Sequence, residues 1–384
     1  MRESHPYECP WADEQIELFR DMVTRFIDTE MAPNDAAWRK RGDVGHDIWR
    51  RAGELNLLCS DIPEEYGGAG GDFRHEAVFL EEMARRGLTG MNTGVHSIVA
   101  HYLLNHGSAE QRERYLPRMA RGELVGAIAM SEPDAGSDLQ AIRTRAIADG
   151  DRYRLSGAKT WISNGYLAGL VLVVCKTDPS AGAKGTSIFI VETEDLNGYR
   201  VGRVIDKIGM KSQDTAELFF DDVVVHHDQL LGGEPGKGFY QLMGDLPYER
   251  LIIAVNAVGA IEGALASTLE YAKQRRAFGQ SVFDFQNSKF KLAEIATQAR
   301  VARTYLDRCI QDLLDAKLDT VAASMAKLWT TELQGRVVDD CLQLFGGYGY
   351  TNEYLIGRMY VDARVQRIYG GTNEIMKEVI SRSL

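Results

Sequence analysis

The chain has 384 residues and a formal net charge of −11, which argues against nucleic acid as its main partner. Its apolar share of 45% and charged share of 26% are those of an ordinary globular protein, not of a disordered chain. No uninterrupted apolar run is long enough to span a bilayer, and the length allows two or three domains. The first eleven residues, Met1 to Trp11, show neither a signal-peptide pattern nor an Arg-rich transit peptide. A bacterial cytoplasmic protein is therefore expected, with a mature organellar protein as the alternative. The five cysteines, Cys9, Cys59, Cys175, Cys309 and Cys341, are scattered and read as reduced, mostly core residues.

In chain order, Asp13 to Asp28 places Ile16, Phe19, Val23 and Phe26 on one helical face. Pro33 ends that helix or starts the next. Further helices are expected near Asp47 to Leu57, His75 to Arg86, Gly94 to Asn105 and Ala109 to Met119. Two Gly-Gly pairs make Pro63 to Gly71 a loop. From Val125 the period shortens. Leu170 to Val174, Ser187 to Val191 and Leu218 to Val225 are β-branched or apolar runs of strand length. Turn signals such as Asp149-Gly150 and Asn164-Gly165 separate such runs. Strands joined by short turns predict an antiparallel barrel or sandwich and count against a dinucleotide-binding βαβ fold. From Gly238 helical periodicity returns over Gly238 to Gln274, Gln286 to Leu314, Thr320 to Phe345 and a last stretch from Thr372. Such lengths predict a four-helix bundle. The expected architecture is mainly α with a central β domain: residues 1–124 helical, 125–236 β, 237–384 helical bundle.

At the first junction stands Met130 to Asp138, Met-Ser-Glu-Pro-Asp-Ala-Gly-Ser-Asp. Ser131 and Ser137 supply hydroxyls, and Gly136 lets the backbone approach closely, so the stretch suits a polar or anionic cofactor. A hydrophilic interdomain turn is the plain alternative. Gly232 to Gly238 has the wrong spacing for a phosphate loop, and no hydroxyl residue follows Lys237. His96, His101 and His106 stand five apart, which does not stack ligands on one helical face. They read as ordinary polar or core histidines, and no metal is expected.

Six stretches carry a resemblance: Met130 to Asp138, Trp161 to Gly165, Gly209 to Asp222, Arg275 to Gly279, Cys341 to Gly349 and Tyr369 to Ile375. In this order they resemble the acyl-CoA dehydrogenase family of flavoproteins over the whole chain, most closely its long-chain branch. The resemblance implies FAD held by Met130, Ser131, Ser137, Trp161, Ser163, Thr372 and Glu374. Ser131 and Ser163 match hydroxyls on the isoalloxazine ring, and Trp161 matches an aromatic residue along it. Without the resemblance, Trp161 would read as a half-buried strand residue. Arg275, Phe278, Gln286, Gln343, Gly346 and Gly347 match residues that reach the FAD of a neighbouring subunit. A homotetramer built as a dimer of dimers is therefore expected, with electron-transferring flavoprotein as electron acceptor.

The implied reaction removes a proton from Cα and a hydride from Cβ of an acyl-CoA, giving the trans-2-enoyl thioester. It needs a carboxylate base and a donor to the enolate oxygen. Many family members carry that base in Tyr-Glu-Gly-Thr. Here the motif reads Tyr369-Gly370-Gly371-Thr372, so the usual glutamate is missing. Glu249, in Pro247-Tyr248-Glu249-Arg250, matches the helix-borne glutamate of the long-chain and isovaleryl branches. Gly370 keeps the N–H that the family aims at the thioester carbonyl. If Pro247 starts a helix, Glu249 is instead a first-turn residue whose pKa the macrodipole would lower. Ser137 and Arg250 match substrate contacts, Arg250 near the CoA moiety; a surface ion pair is the plain alternative for Arg250. Thr93 to Ser97 matches part of the acyl pocket, whose small residues leave room for a medium-to-long or branched chain. Two other readings remain: an acyl-CoA oxidase or flavin monooxygenase on the same fold, and a non-catalytic flavin or acyl-CoA binder.

Overall fold

A computed structural model describes residues 7–384. In chain order the helices and strands are α1 (Glu14–Phe26), α2 (Asp35–Arg41), α3 (His46–Glu54), α4 (Phe73–Arg85), α5 (Thr93–His106) and α6 (Ala109–Ala120), then β1 (Gly126–Ala129), β2 (Arg145–Asp149), β3 (Arg152–Ser163), β4 (Leu170–Lys176), β5 (Thr186–Glu192), β6 (Tyr199–Val204) and β7 (Thr215–His226). After them come α7 (Gly238–Gln274), the short hairpin β8 (Arg276–Ala277) and β9 (Gln280–Ser281), α8 (Gln286–Leu314), α9 (Thr320–Phe345), α10 (Leu355–Ala363) and α11 (Asn373–Ser381). Pro33 sits in a short 3-10 turn, Ala32–Asn34, between α1 and α2. Periodicity missed α2 and α10, each less than three turns long.

The chain forms two compact units that do not follow its order. One takes the chain up to Ala32, Asp72–Leu88 and Arg250–Leu384; the other takes Pro33–Gly71 and Thr89–Glu249. The N-terminal helices are thus shared out. In the helical unit, α1 starts on Asp13, whose carboxylate accepts the Ile16 N–H, and buries Ile16, Val23 and Phe26. Arg303 of α8 pairs with Glu81 of α4 and, at 2.8 Å, with Glu262 of α7. Those interior charges are matched, as burial demands. Helix α9 packs on α8, α10 and α11. The expected bundle is present, with α10 as an addition.

The other unit holds a seven-stranded sheet in the order β1-β4-β2-β3-β7-β6, with β5 also on β4. Most pairings are antiparallel, as expected, including β2–β3, β3–β7 and β4–β5. Two differ. β1 lies parallel to β4, and one residue pair, Arg145 with Lys176, joins β2 to β4 in parallel. Parallel neighbours need a long connection, and residues 130–169 supply it with the Met130 to Asp138 turn and the β2–β3 hairpin instead of a helix. Every residue of β4 is buried, the pattern of a strand covered on both faces. The core gathers Ala127, Val173, Phe189, Leu218 and Val223.

Helix α7 is long and apolar enough to cross a bilayer, yet 72% of its apolar window is buried within the protein. All five cysteines are free thiols.

Candidate active site

The Met130 to Asp138 turn is tied down from beneath. Lys159 on β3, fully buried, donates to the Met130 carbonyl at 2.9 Å and to Glu132 Oε1 at 2.9 Å. Glu132 also accepts the N–H groups of Arg143 (2.6 Å) and Thr144 (2.9 Å). Burial would raise the Glu132 pKa, but Lys159 and these donors hold it below the usual carboxylate range. Thr160 donates its N–H to the Ser131 carbonyl at 3.0 Å, so Ser131 lies beside the Thr160–Trp161 segment. Strand β3 is irregular there. Its register to β7 shifts between Lys159 and Ile162, and Trp161 has φ of +62°. Such a bulge turns a side chain away from the strand's alternation. Trp161 is accordingly 62% exposed, not the half-buried strand residue of the plain reading.

Two residues on, the Ser163 hydroxyl accepts from Gln213 Nε2 at 3.1 Å, which leaves its own proton to donate. The Ser131 hydroxyl makes no hydrogen bond among the described residues. An exposed aromatic plane and two hydroxyls with donating capacity fit a flat ring system with polar edges. Ser137 is exposed and takes no part in this grouping. Next to Gln213, the Asp214 carboxyl accepts the Tyr166 N–H, and burial pushes it up to about 6.

Pro247 lies inside α7 and does not start it. Glu249 is therefore about three turns from the N-terminus, where the first-turn macrodipole argument does not apply. It is 7% exposed. The Tyr102 hydroxyl, from α5, donates to Glu249 Oε1 at 2.8 Å. Burial first, then the Glu249 charge and this bond, push the Tyr102 phenol well up, so it stays a donor. On either side the same two helices meet again. Asn105 and His106 hold Asp245 at 2.7 and 2.6 Å. His101 and Tyr248 share Asp61 Oδ2 at 2.9 and 3.1 Å. Burial alone would lower the His101 pKa; the Asp61 carboxylate outweighs it and raises it.

His96, by contrast, is wholly buried and burial drops its pKa to about 4. Its Nδ1 accepts the Gly126 N–H at 3.1 Å, so it is a neutral strut. Among the described residues no group of three or more His, Cys, Asp or Glu could hold a metal ion. Tyr102, Asn105 and Asp245 were not singled out in the sequence. The signal available was four hydrogen-bonding side chains at positions 101, 102, 105 and 106, whose three- and four-residue steps put them on one side of the last turns of α5.

In the helical unit Gly370 and Gly371 have φ of +61° and +82°. A Cβ at Gly370 would lie 2.2 Å from Ile253 Cδ1. Backbone and neighbour together favour glycine at this position. The Gly370 N–H makes no hydrogen bond among the described residues. Arg250 is 3% exposed and bonds Ser324 Oγ at 2.9 Å, which overturns the surface-pair alternative. Thr372 caps α11, accepting the Ile375 N–H at 3.3 Å, and Glu374 is exposed in its first turn.

The remaining expected residues lie just past the end of α7, in the β8–β9 hairpin, at the start of α8 and at the end of α9. Tyr271 stacks on Phe345 at 4.1 Å, and the Arg275 guanidinium lies 5.6 Å from the Tyr348 ring. Phe278, in the hairpin, is 96% exposed. Arg275, Gln286, Gln343, Gly346 and Gly347 are exposed too. A Cβ built at Gly346 or Gly347 would meet nothing within 4 Å, so the backbone there is open to a ligand or another chain.

Comparison with known proteins covers most of the chain. Three family descriptions match: acyl-CoA dehydrogenase N-terminal domain over residues 13–123, middle domain over 127–223 and C-terminal domain over 236–384. A long-chain specific acyl-CoA dehydrogenase, mitochondrial, from Sus scrofa is 48% identical over 96% of this chain and 86% of its own. The crystal structure of an acyl-CoA dehydrogenase from Geobacillus kaustophilus, 43% identical, superposes with a TM-score of 0.94 over 98% of this chain and 99% of that one. A glutaryl-CoA dehydrogenase from Mycobacterium smegmatis, solved in complex with FADH2, is 26% identical with a TM-score of 0.90, over 97% and 95% of the two chains.

Proposed function

The chain belongs to the acyl-CoA dehydrogenase family, and we propose that it converts long-chain acyl-CoA thioesters to trans-2-enoyl-CoA with Glu249 as the base. It is a flavin-dependent oxidoreductase of fatty-acid metabolism, and its cofactor is FAD. The observation that carries the assignment of the base is the buried Glu249 carboxylate held by Tyr102 at 2.8 Å, in a chain whose Tyr369-Gly370-Gly371-Thr372 motif has no glutamate.

Bound FAD supplies the acceptor for the hydride that leaves Cβ. The protein's own residues do the rest. Glu249 takes the α-proton, and the charge left behind spreads onto the thioester oxygen. The Gly370 N–H donates to that oxygen and stabilises the charge where it develops. Tyr102 fixes one carboxylate oxygen of Glu249, which orients the other lone pairs toward Cα. Ser131 and Ser163 would hold the edge of the flavin ring by hydrogen bonds, and Trp161 would pack along it. Ser137 and Arg250 belong to the thioester side, with Arg250 acting from the interior through its neighbours. The long-chain preference is supported by the relative that is 48% identical.

A second copy of the chain covers the exposed Phe278 hairpin and the α9 terminus. Arg275, Phe278, Gln286, Gln343, Gly346 and Gly347 would then reach the partner's FAD, and Thr372 and Glu374 would complete the contacts. The assembly is a homotetramer that passes electrons to electron-transferring flavoprotein. Five free thiols suit a reducing compartment, either cytoplasm or an organelle matrix.

The test is the visible spectrum of the holoenzyme, without oxygen, during titration with palmitoyl-CoA. Loss of flavin absorbance is expected. A flavin that stays oxidised with palmitoyl-CoA and with short and branched thioesters would leave a binding protein.

A further inference from the structure

Lys327 on α9 is wholly buried, and the mechanism above does not use it. Its Nζ donates to the Gly371 carbonyl at 2.8 Å and to Asn373 Oδ1 at 2.8 Å. Asn373 in turn donates to Thr331 Oγ1 at 3.1 Å and to Glu332 Oε1 at 2.8 Å. One ammonium therefore clamps both ends of the segment from Gly371 to the start of α11. Gly371 and the Gly370 before it are two consecutive left-handed glycines, a permissive backbone. Such a pair holds an N–H in one direction only if something outside it fixes the chain.

A neutral amide of similar length could make the same two hydrogen bonds without placing a charge in the interior. The charge is costly there. Burial first, then the neighbouring Arg250 guanidinium, lower the Lys327 pKa to about 8. The charged groups that face it are Arg250 from α7, Glu374 from α11 and Glu332 further along α9. A fixed positive charge behind the Gly370–Gly371 turn is what a site needs where negative charge develops on an oxygen.

We propose that Lys327 is a positioning residue: its ammonium locks the Gly370–Gly371 turn and adds positive potential at the thioester oxygen. The proposal rests on the reading that the Gly370 N–H meets that oxygen. It predicts an effect confined to ligands that possess the carbonyl. S-Hexadecyl-CoA, a thioether, has the same chain and nucleotide but no carbonyl.

The experiment compares the parent holoenzyme with Lys327→Met. The variant should lose tenfold or more in kcat/KM for palmitoyl-CoA. The inhibition constant of S-hexadecyl-CoA and the flavin spectrum should stay within twofold of the parent. The parent rate should fall as pH rises through about 8, where the ammonium loses its proton, and the variant should lack that fall. A kcat/KM within twofold of the parent overturns the proposal, as does an inhibition constant that rises in step or an alkaline fall that persists. Should Lys327→Met fail to fold, Lys327→Gln is read by the same three criteria. A parent enzyme inactive on every thioester would sink the functional reading instead, so the two failures are separable.

Discussion

Glu249 and Phe278 lie 29 positions apart and meet opposite surroundings. Glu249 is 7% exposed, with its Tyr102 partner and the flanking Asp245 and Asp61 clusters supplied by one unit of one chain. Phe278 is 96% exposed, and the polar residues grouped with it are exposed as well. A proton-transfer group must be dry and fixed before substrate arrives, because its direction and affinity for protons depend on both. A cofactor contact can be completed by another molecule. An exposed phenylalanine on a hairpin gains on the order of 2 kcal/mol when something covers it.

The sharpest way to break that contrast is Glu249→Gln. It should cut flavin bleaching by palmitoyl-CoA by about 10³-fold or more, the scale of a lost general base, while the shape of the oxidised spectrum stays. A Gln variant that bleaches at the parent rate would move the base elsewhere. A second strike at the interior region is Asp214→Asn, beside Gln213 and Ser163. The Asp214 pKa is raised by burial, so its stabilising contribution is complete below the ordinary 3.8 and is lost as pH rises through about 6. That gap is worth about 3 kcal/mol, so the stability of wild type relative to the Asn variant should fall by about that much from acid to neutral pH. Denaturant unfolding at several pH values reads it; a flat difference would show that Asp214 is not buried as a proton-binding group.

At the open end, Phe278→Ala should weaken FAD retention roughly tenfold. Equilibrium dialysis measures the retention, and sedentation in a centrifuge reports whether assembly weakens with it. Unchanged FAD affinity would remove Phe278 from the cofactor site. The smallest expected effect is Tyr102→Phe, a several-fold loss in kcat/KM of about 1 kcal/mol. Because the lost donor favours the ionised carboxylate, the acid limb of the pH profile should move upward. An acid limb that stays put would mean that Tyr102 only fills space.

Much of this was legible from one sequence. The ends of α7, α8 and α9 came directly from periodicity and the breaks at Phe278-Gly279 and Gly346-Gly347, since long amphipathic helices announce themselves locally. The residues proposed to hold the cofactor were legible only through the combination of six motifs. The structure groups Ser131, Trp161 and Ser163 around one bulge, and Arg275 with the α9 terminus. It leaves Ser137 exposed and puts Arg250 in the interior. Tyr102, Lys159 and Lys327 were not legible, because each acts on a residue distant in the chain: Glu249, Met130 and Gly371. Nothing local distinguishes a lysine that clamps a turn from one that faces water.

By itself, then, the sequence determined the order of helical, strand and helical segments, the absence of a glutamate at Gly370 and the presence of one at Glu249. These are local properties, set by side-chain period, turn chemistry and residue identity. Tertiary structure decided what each group experiences. Pro247 reads equally as a helix start or an interior residue, and only packing settles it inside α7, which takes Glu249 out of the first turn. The helices of the first third read as one block, yet α1 and α4 join the C-terminal helices while α3, α5 and α6 join the sheet. Burial and long-range pairing are sums over distant residues, and a carboxylate's proton affinity follows those sums, not its neighbours in the chain.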